Sequence, residues 1–274
     1  MTAKKKCTII AVTNQKGGVA KTTTVQHIGY SLAVHHAKKV LLIDLDAQAN
    51  LTLSFGIAPQ ELAKSVYNAL KGDAPLSQVI LPCIPNEKGK LDIAPSNIDL
   101  SSAEIDLIRE INASYLLKSA LTEPFIEQKT EEDPEPYDYI LIDCPPSLGI
   151  LTLNALVAAD YVLIPIQPEM YALQGLKLLN DTIAKVKSKA NSSLLVLGWL
   201  ATLHDGRTRT HKDTVEFFRK QNSELVFNTI ISVNTTVREA HAARKTVFEY
   251  DSSKSGAKNY AALTNELLRR LGDV

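Results

Sequence analysis

The chain has 274 residues, and its 30 Lys plus Arg balance its 30 Asp plus Glu, so bulk charge points to neither nucleic acid nor membrane and any basic surface must be local. Hydrophobic residues at 45% and charged residues at 22% are ordinary for a globular protein. The start, MTAKKKC, lacks the apolar core of a signal peptide, and no apolar run approaches the ~20 residues of a membrane span. Cys7, Cys83 and Cys144 are far apart and show no metal or redox spacing, so they read as reduced thiols of a cytoplasmic protein.

Apolar runs alternate with helical patterns along the chain, which predicts βαβ units around a parallel sheet. CTIIAV (7–12) reads as the first strand, 21–35 as a helix and KVLLIDLD (39–46) as the next strand. LDIAP (91–95), YDYILIDC (137–144), YVLIPI (161–166), LLVLGWLATL (194–203) and VFNTII (226–231) read as further strands. Their Val, Ile and Leu runs without alternation fit strands covered on both faces. Helical patterns fall at 60–71, 99–121, 150–158, 171–189, 210–222, 236–243 and 257–271. EQKTEEDPEP (127–136) is acidic, holds two prolines and reads as an exposed loop within one α/β domain spanning 1–274. Only six residues precede the first strand, so no separate DNA-reading module is expected in front of it.

The stretch NQKGGVAKTTT (14–24) lies between a strand and a helix, the context a phosphate-binding loop requires. Gly17 and Gly18 let the backbone approach phosphate, and the N–H groups of residues 18–22 can point at it from the positive end of the helix. The phosphate-binding set that the loop supplies is then Gly17, Gly18, Val19, Ala20, Lys21, Thr22 and Thr23. Lys21 suits the β- and γ-phosphates and Thr22 suits Mg²⁺. The spacing departs from G-x-x-x-x-G-K-[ST]: Gln15 holds the first glycine position, Ala20 the second, and Lys16 is an additional lysine. Asp44 and Asp46 stand at the end of the second strand, where a carboxylate could orient water or accept its proton late in a reaction. Asp143 ends an apolar strand, where a carboxylate can hold Mg²⁺ through water. Pro145 and Pro146 stiffen the turn that follows.

With KGGVAKTTT (16–24), VLLIDLDAQANLT (40–52), YDYILIDCPPSLG (137–149), ADYVLIPIQPE (159–169) and REAHAARKTV (238–247) in this order, the chain resembles the ParA/Soj/MinD group of deviant Walker A ATPases, and Soj-like ParA proteins in particular. The resemblance implies a P-loop α/β fold, with a mostly parallel sheet flanked by helices on both faces. It implies slow, Mg²⁺-dependent ATP hydrolysis with Lys16, Lys21 and Asp46 as catalytic residues and Thr22, Asp44 and Asp143 around the metal. In this family the additional lysine reaches across a dimer to the other subunit's nucleotide, which assigns that role to Lys16. Asp46 is the carboxylate that positions the attacking water. Where relatives read Asp-Pro-Gln-Gly-Asn this chain reads DAQAN, so a less kinked loop is expected at Ala47 and Ala49. A cluster-bearing reductase of the iron-protein type needs two cysteine ligands per subunit, which Cys7 and Cys83 do not supply.

The implied partners are a second copy of the chain, non-specific double-stranded DNA and a ParB-like adaptor, with the protein cytoplasmic and nucleoid-associated. Basic residues crowd the last third, and the resemblance places Arg219 and Lys245 on basic positions of Soj-like relatives. Thr236 stands where a further arginine is expected, with Arg238 two residues away as its substitute. Segments 202–208 and 231–236 fall where relatives contact adenine. The alternative is a MinD-like membrane-associated ATPase, which needs an amphipathic terminal helix. Tyr260, Leu263, Leu267 and Leu271 do make one apolar stripe, but Glu266 and Asp273 flank it, so a helix packed on the sheet is expected and no membrane partner.

Overall fold

A computed structural model describes residues 7–85, 89–122, 137–169 and 172–273. Seven strands form one sheet in the order β3-β4-β2-β5-β1-β6-β7. These are β1 (Thr8–Val12), β2 (Lys39–Asp44), β3 (Leu81–Pro85), β4 (Lys90–Ala94), β5 (Tyr139–Asp143), β6 (Tyr161–Ile166) and β7 (Leu195–Ala201). All neighbours pair in parallel except β3, which runs antiparallel to β4 at the edge. Alternate strand residues face opposite layers: Leu41 and Ile43 join one core with Ile140 and Ile142, while Val40 and Leu42 join the other with Leu141. Both layers are covered, which is why these strands read as unbroken apolar runs.

The helices, in chain order, are α1 (Lys21–His35), α2 (Asn50–Ser54), α3 (Val66–Lys71), α4 (Ala103–Asp106), α5 (Leu116–Leu121), α6 (Ile150–Ala158), α7 (Ala172–Lys189), α8 (Arg209–Gln221), α9 (Thr235–Ala242), α10 (Val247–Asp251) and α11 (Ser255–Arg270). The layer over Leu41 and Ile43 takes residues of α3, α5, α6 and α7, and the layer over Val40 and Leu42 takes α1 and α11. The terminal stripe of α11 is buried, with Tyr260, Leu263 and Leu267 at most 1% exposed. No helix among the described residues is long and apolar enough to cross a membrane.

Three expected elements differ. The helix expected at 99–121 is broken into short α and 3₁₀ turns, with Asn112 in a left-handed conformation at φ 60° between them. The one expected at 60–71 reduces to a 3₁₀ turn at Pro59–Glu61 and α3, which Ser65 starts with a capping box. Segment 226–231 is no strand. It lies along β7 with one isolated bridge, Trp199 to Val226; Phe227 and Ile231 N–H donate to the Trp199 and Ala201 carbonyls, but side chains claim the backbone between them. Glu266 accepts from the N–H groups of Asn228 and Thr229, both at 2.8 Å. Arg270 donates to the carbonyls of Leu197, Glu224 and Val226 and lies 4.0 Å over the Phe227 ring. The segment comes so close that a Cβ on Gly198 would sit 2.5 Å from the Leu225 carbonyl oxygen. The acidic stretch 127–136 lies outside the described residues.

Candidate nucleotide site

Register brings the chemistry together. β5 pairs Asp143 with Asp44 of β2 on one side and with Val12 of β1 on the other. The phosphate-type loop 13–20 follows β1, so loop and carboxylates meet at the carboxyl end of the three central strands, where open α/β sheets bind ligands. The loop is pinned from below: Asn14 Nδ2 donates to the Pro165 carbonyl at 2.8 Å, Asn14 Oδ1 accepts from Lys16 N–H at 3.0 Å, and Thr202 Oγ1 donates to the Val19 carbonyl at 3.0 Å. Gly18 takes φ 71°, and so, without being glycine, does Ala20 at φ 64°. Ala20 is the N-cap of α1 and supplies no side-chain acceptor, so the first N–H groups of α1 stay available to an anion.

A cleft of about 440 Å³ opens over the loop, lined by Gly17, Gly18, Ala20, Lys21, Thr22 and Thr23, with Asp46, Gln48, Asn50, Pro146, Leu203 and His241 around it. Lys21 is 6% exposed and its ammonium donates back to the Lys16 carbonyl at 3.2 Å. Burial lowers its pKa, opposed by the nearby charges of Asp143 and Asp46. Asp46 lines the cleft, with Oδ1 accepting from Gln48 N–H at 3.0 Å. Asp44 turns the other way: Oδ2 accepts from Thr52 N–H and Oγ1 at 2.9 and 2.7 Å, and Oδ1 from Asp46 N–H at 3.2 Å. Burial pushes its pKa up to about 6. The DAQAN loop keeps its kink, since Ala49 takes φ 53° at the start of α2, contrary to the expected relaxation.

Asp143 is 1% exposed and neither carboxylate oxygen has a hydrogen-bond partner. Burial first, and then the charge of Asp44, raise its pKa well above the usual carboxylate range. The Thr22 hydroxyl offsets part of that rise without making a full hydrogen bond. An orphaned buried carboxylate beside a free hydroxyl and a row of uncapped N–H groups fits a nucleotide phosphate chain with Mg²⁺. Among the described residues there is no cluster of three or more His, Cys, Asp or Glu that could hold a metal ion by itself.

Lys16 does not line this cleft. Its ammonium sits 2.6 Å from Glu169 Oε2 and 3.3 Å from Gln167 Oε1, with the lysine side chain 46% exposed. Segments 202–208 and 231–236, expected near the adenine, contribute Leu203, Ile231, Ser232 and Asn234 to a second cavity, about 200 Å³, that shares Ala20, Thr23, Leu203 and His241 with the first; the sequence gives no sign that His241 and Tyr260 line it. Ile231, Ser232, Asn234, Val237, Arg238 and Tyr260 complete it. Leu203, at φ 50°, and Ala20, at φ 64°, both line it in a left-handed conformation. Arg238 thus borders this cavity, whereas Lys245 is exposed on the turn after α9 and Arg219 Nη2 donates to the Asn228 carbonyl at 3.2 Å.

A family model described as "AAA domain" matches residues 7–196. The chain is 40% identical over 259 residues to the sporulation initiation inhibitor protein Soj of Bacillus subtilis (strain 168), covering 94% of this chain and 97% of that one. It is 40% identical over 262 residues to the chromosome partitioning protein ParA of Myxococcus xanthus (strain DK1622), covering 96% and 88%. The chain belongs to the ParA/Soj family of P-loop ATPases. Among solved structures, one described as cobyrinic acid a,c-diamide synthase from Mycobacterium smegmatis with bound ATP analog and magnesium superposes with TM-score 0.79 at 37% identity, covering 97% of this chain and 96% of that one. Membership of the ParA/Soj family makes the protein a positioning ATPase in broad class.

Proposed function

We propose that the protein is an ATP-gated dimer that binds DNA without sequence preference and lets go when an adaptor stimulates hydrolysis. The observation that carries this is Lys16. It belongs to the phosphate loop, yet its ammonium stands outside the cleft, half-exposed at the loop's outer side on Glu169. A lysine that does not serve its own nucleotide is placed to serve one on a facing subunit, where two triphosphates meeting across an interface need cations from both sides. Loss of the γ-phosphate then weakens the contact and opens the dimer.

Within each subunit, the N–H groups of residues 18–22 and the Lys21 ammonium hold the phosphates, and Thr22 and Asp143 hold Mg²⁺, the latter through water. When bound, the ion neutralises charge shared by the β- and γ-phosphates. Asp46, on the cleft wall and held by Gln48 N–H, orients the attacking water and takes its proton late. Asp44, with its oxygens committed to Thr52 and Asp46, fixes the Asp46–Asn50 loop rather than touching the ion itself. The adenine and ribose occupy the second cavity. Arg219, Arg238 and Lys245 contribute to the DNA surface, and of these Lys245 is the most freely presented. The membrane alternative loses support because the apolar face of α11 is already buried.

The test is binding to a non-specific duplex with no nucleotide, ADP or ATP, at two salt concentrations, for wild type, Lys16→Ala and Lys245→Ala. Binding that requires ATP, falls with salt and is lost in Lys16→Ala is expected. Lys245→Ala should weaken it and reduce the salt slope by about 1 per contact removed. Equal binding without nucleotide would refute the gating. Absence of binding in every state would refute the DNA partner and favour a membrane or a small-molecule ligase.

A further inference from the structure

We propose that His27 is a positioning residue that ties the basic turn 243–246 to the helix behind the phosphate loop, so that the DNA affinity of this turn answers to nucleotide within a single subunit. The inference rests on the DNA reading above and extends it, since a dimer gate alone requires no such tie.

His27 lies on α1, two turns from Lys21, and is 1% exposed. Its Nδ1 is 2.7 Å from the Thr23 carbonyl oxygen, and its Nε2 is 2.9 Å from the backbone nitrogen of Val247. A carbonyl only accepts and an amide only donates, so Nδ1 carries the proton and Nε2 is bare. The ring is therefore neutral and in one tautomer. Stacking on Tyr260 at 4.4 Å and packing near Phe248 at 6.0 Å fix its plane.

The Val247 N–H opens α10 and is not used by that helix's own capping box, in which Thr246 and Glu249 satisfy each other. His27 takes it. The turn before it carries Arg244 in a left-handed conformation at φ 53° and the exposed Lys245, whose N–H donates to the Ala240 carbonyl at 3.0 Å. A non-glycine residue held at positive φ needs surrounding contacts to keep it there. One end of the turn hangs from α9, whose Val237, Arg238 and His241 line the cavity beside the phosphate loop. The other end hangs from His27, which grips the carbonyl of Thr23, a residue lining both cavities. The basic turn is thus strung between two contacts with the nucleotide site. A change in α1 or α9 when nucleotide binds is delivered to Arg244 and Lys245 without passing through a second subunit.

The test compares wild type with His27→Ala, His27→Gln and Val247→Pro. Proline removes the N–H that His27 accepts while keeping the helix start: the first helical position tolerates it, and Thr246 at φ −70°, ψ 158° already has the backbone that precedes proline. Three quantities are read with ATP present: trypsin cleavage after Arg244 and Lys245, affinity for a fluorescent ATP analogue, and affinity for a duplex. His27→Ala and Val247→Pro should each speed the cleavage and weaken DNA binding by about tenfold, the scale of losing one buried hydrogen bond, with nucleotide affinity unchanged. The double variant should be no worse than either single one. His27→Gln, whose Oε1 can replace Nε2, should recover most of both. Wild-type cleavage and DNA affinity in His27→Ala would overturn the proposal, as would a parallel loss of nucleotide affinity or a glutamine variant as impaired as alanine. Wild-type protein that binds no DNA would instead sink the DNA reading, and the cleavage arm would still decide whether His27 holds the turn.

Discussion

Asp143→Asn should make the nucleotide-free protein more stable and the nucleotide-bound protein less so. Asp143 is 1% exposed and both its oxygens lack a partner. A buried polar group left unsatisfied costs roughly 1–3 kcal/mol, and more when charged. The asparagine side chain removes the charge but also removes an attraction that Lys21 enjoys. The net gain should be about 1–2 kcal/mol near neutral pH, or roughly 2–4 °C in Tm for a chain of this size. The pH dependence carries the same sign. An acid whose folded pKa is raised costs nothing below about pH 4, where both folded and unfolded states hold the proton. The cost appears as pH climbs toward the folded pKa and persists above it. Asp44, pushed up to about 6, adds its own loss in the same window. The gap between variant and wild type should therefore close on acidification to about pH 4. Saturation with ATP and Mg²⁺ at a hundredfold over Kd should add about 2.7 kcal/mol to wild type and much less to the variant, so the ranking reverses. Thermal unfolding with and without nucleotide, at both pH values, reads all of this. A nucleotide-free Asp143→Asn protein less stable than wild type near neutral pH would refute the reasoning.

Two further outcomes concern the frame that holds the site. Ala49→Gly should stabilise by about 0.5–1 kcal/mol, because the left-handed conformation costs alanine about 1–2 kcal/mol and glycine gives back part of that through its unfolded-state freedom; a Tm that falls would refute it. Arg270→Met keeps the stem over Phe227 but removes the hydrogen bonds to Leu197, Glu224, Val226 and Glu266, and should cost about 3 kcal/mol by denaturant titration. Burial works to raise the pKa of Glu266, but its bonds from Asn228, Thr229 and Arg270 lower it overall, so its stabilisation holds above the ordinary glutamate range and fades as pH falls through the folded value, a fade that should shrink in Arg270→Met.

The central strands were legible because burial on both faces leaves an uninterrupted Val, Ile and Leu run, and the phosphate loop because its glycines and Lys-Thr sit where a strand hands over to a helix. Segment 226–231 misled for the same reason. Its apolar residues are buried like those of a strand, and Phe227 and Ile231 bond to β7, but the N–H groups of Asn228 and Thr229 and the Val226 carbonyl go to Glu266 and Arg270, some forty residues downstream, which no local pattern encodes. The edge strand β3 was missed because LPCIP carries two prolines, which only an edge or a bulge tolerates, and a bulge lies between Pro82 and Ile84. The second cavity was half legible: segments 202–208 and 231–236 were marked as near the base, but His241 and Tyr260 come from helices whose patterns show only packing.

Lys16 joins the sequence and the structure most closely. The sequence supplies a lysine in excess, and the structure separates the two: Lys21 lines the cleft, and Lys16 is turned out toward Glu169 and Gln167. That contact is half-exposed on both sides, at 46% and 42%, so solvent screening leaves it worth about 0–1 kcal/mol. In the proposed dimer a triphosphate on the facing subunit would offer more charge in a drier place, so exchanging Glu169 for phosphate would be downhill once the two surfaces meet. A diphosphate offers less, and the balance returns toward Glu169. On that proposal, the weakness of the resting ion pair is what would let one phosphate group decide between two states: a tightly buried Lys16 would hold the monomer shut, and a free one would give the nucleotide-free chain no competing contact to return to.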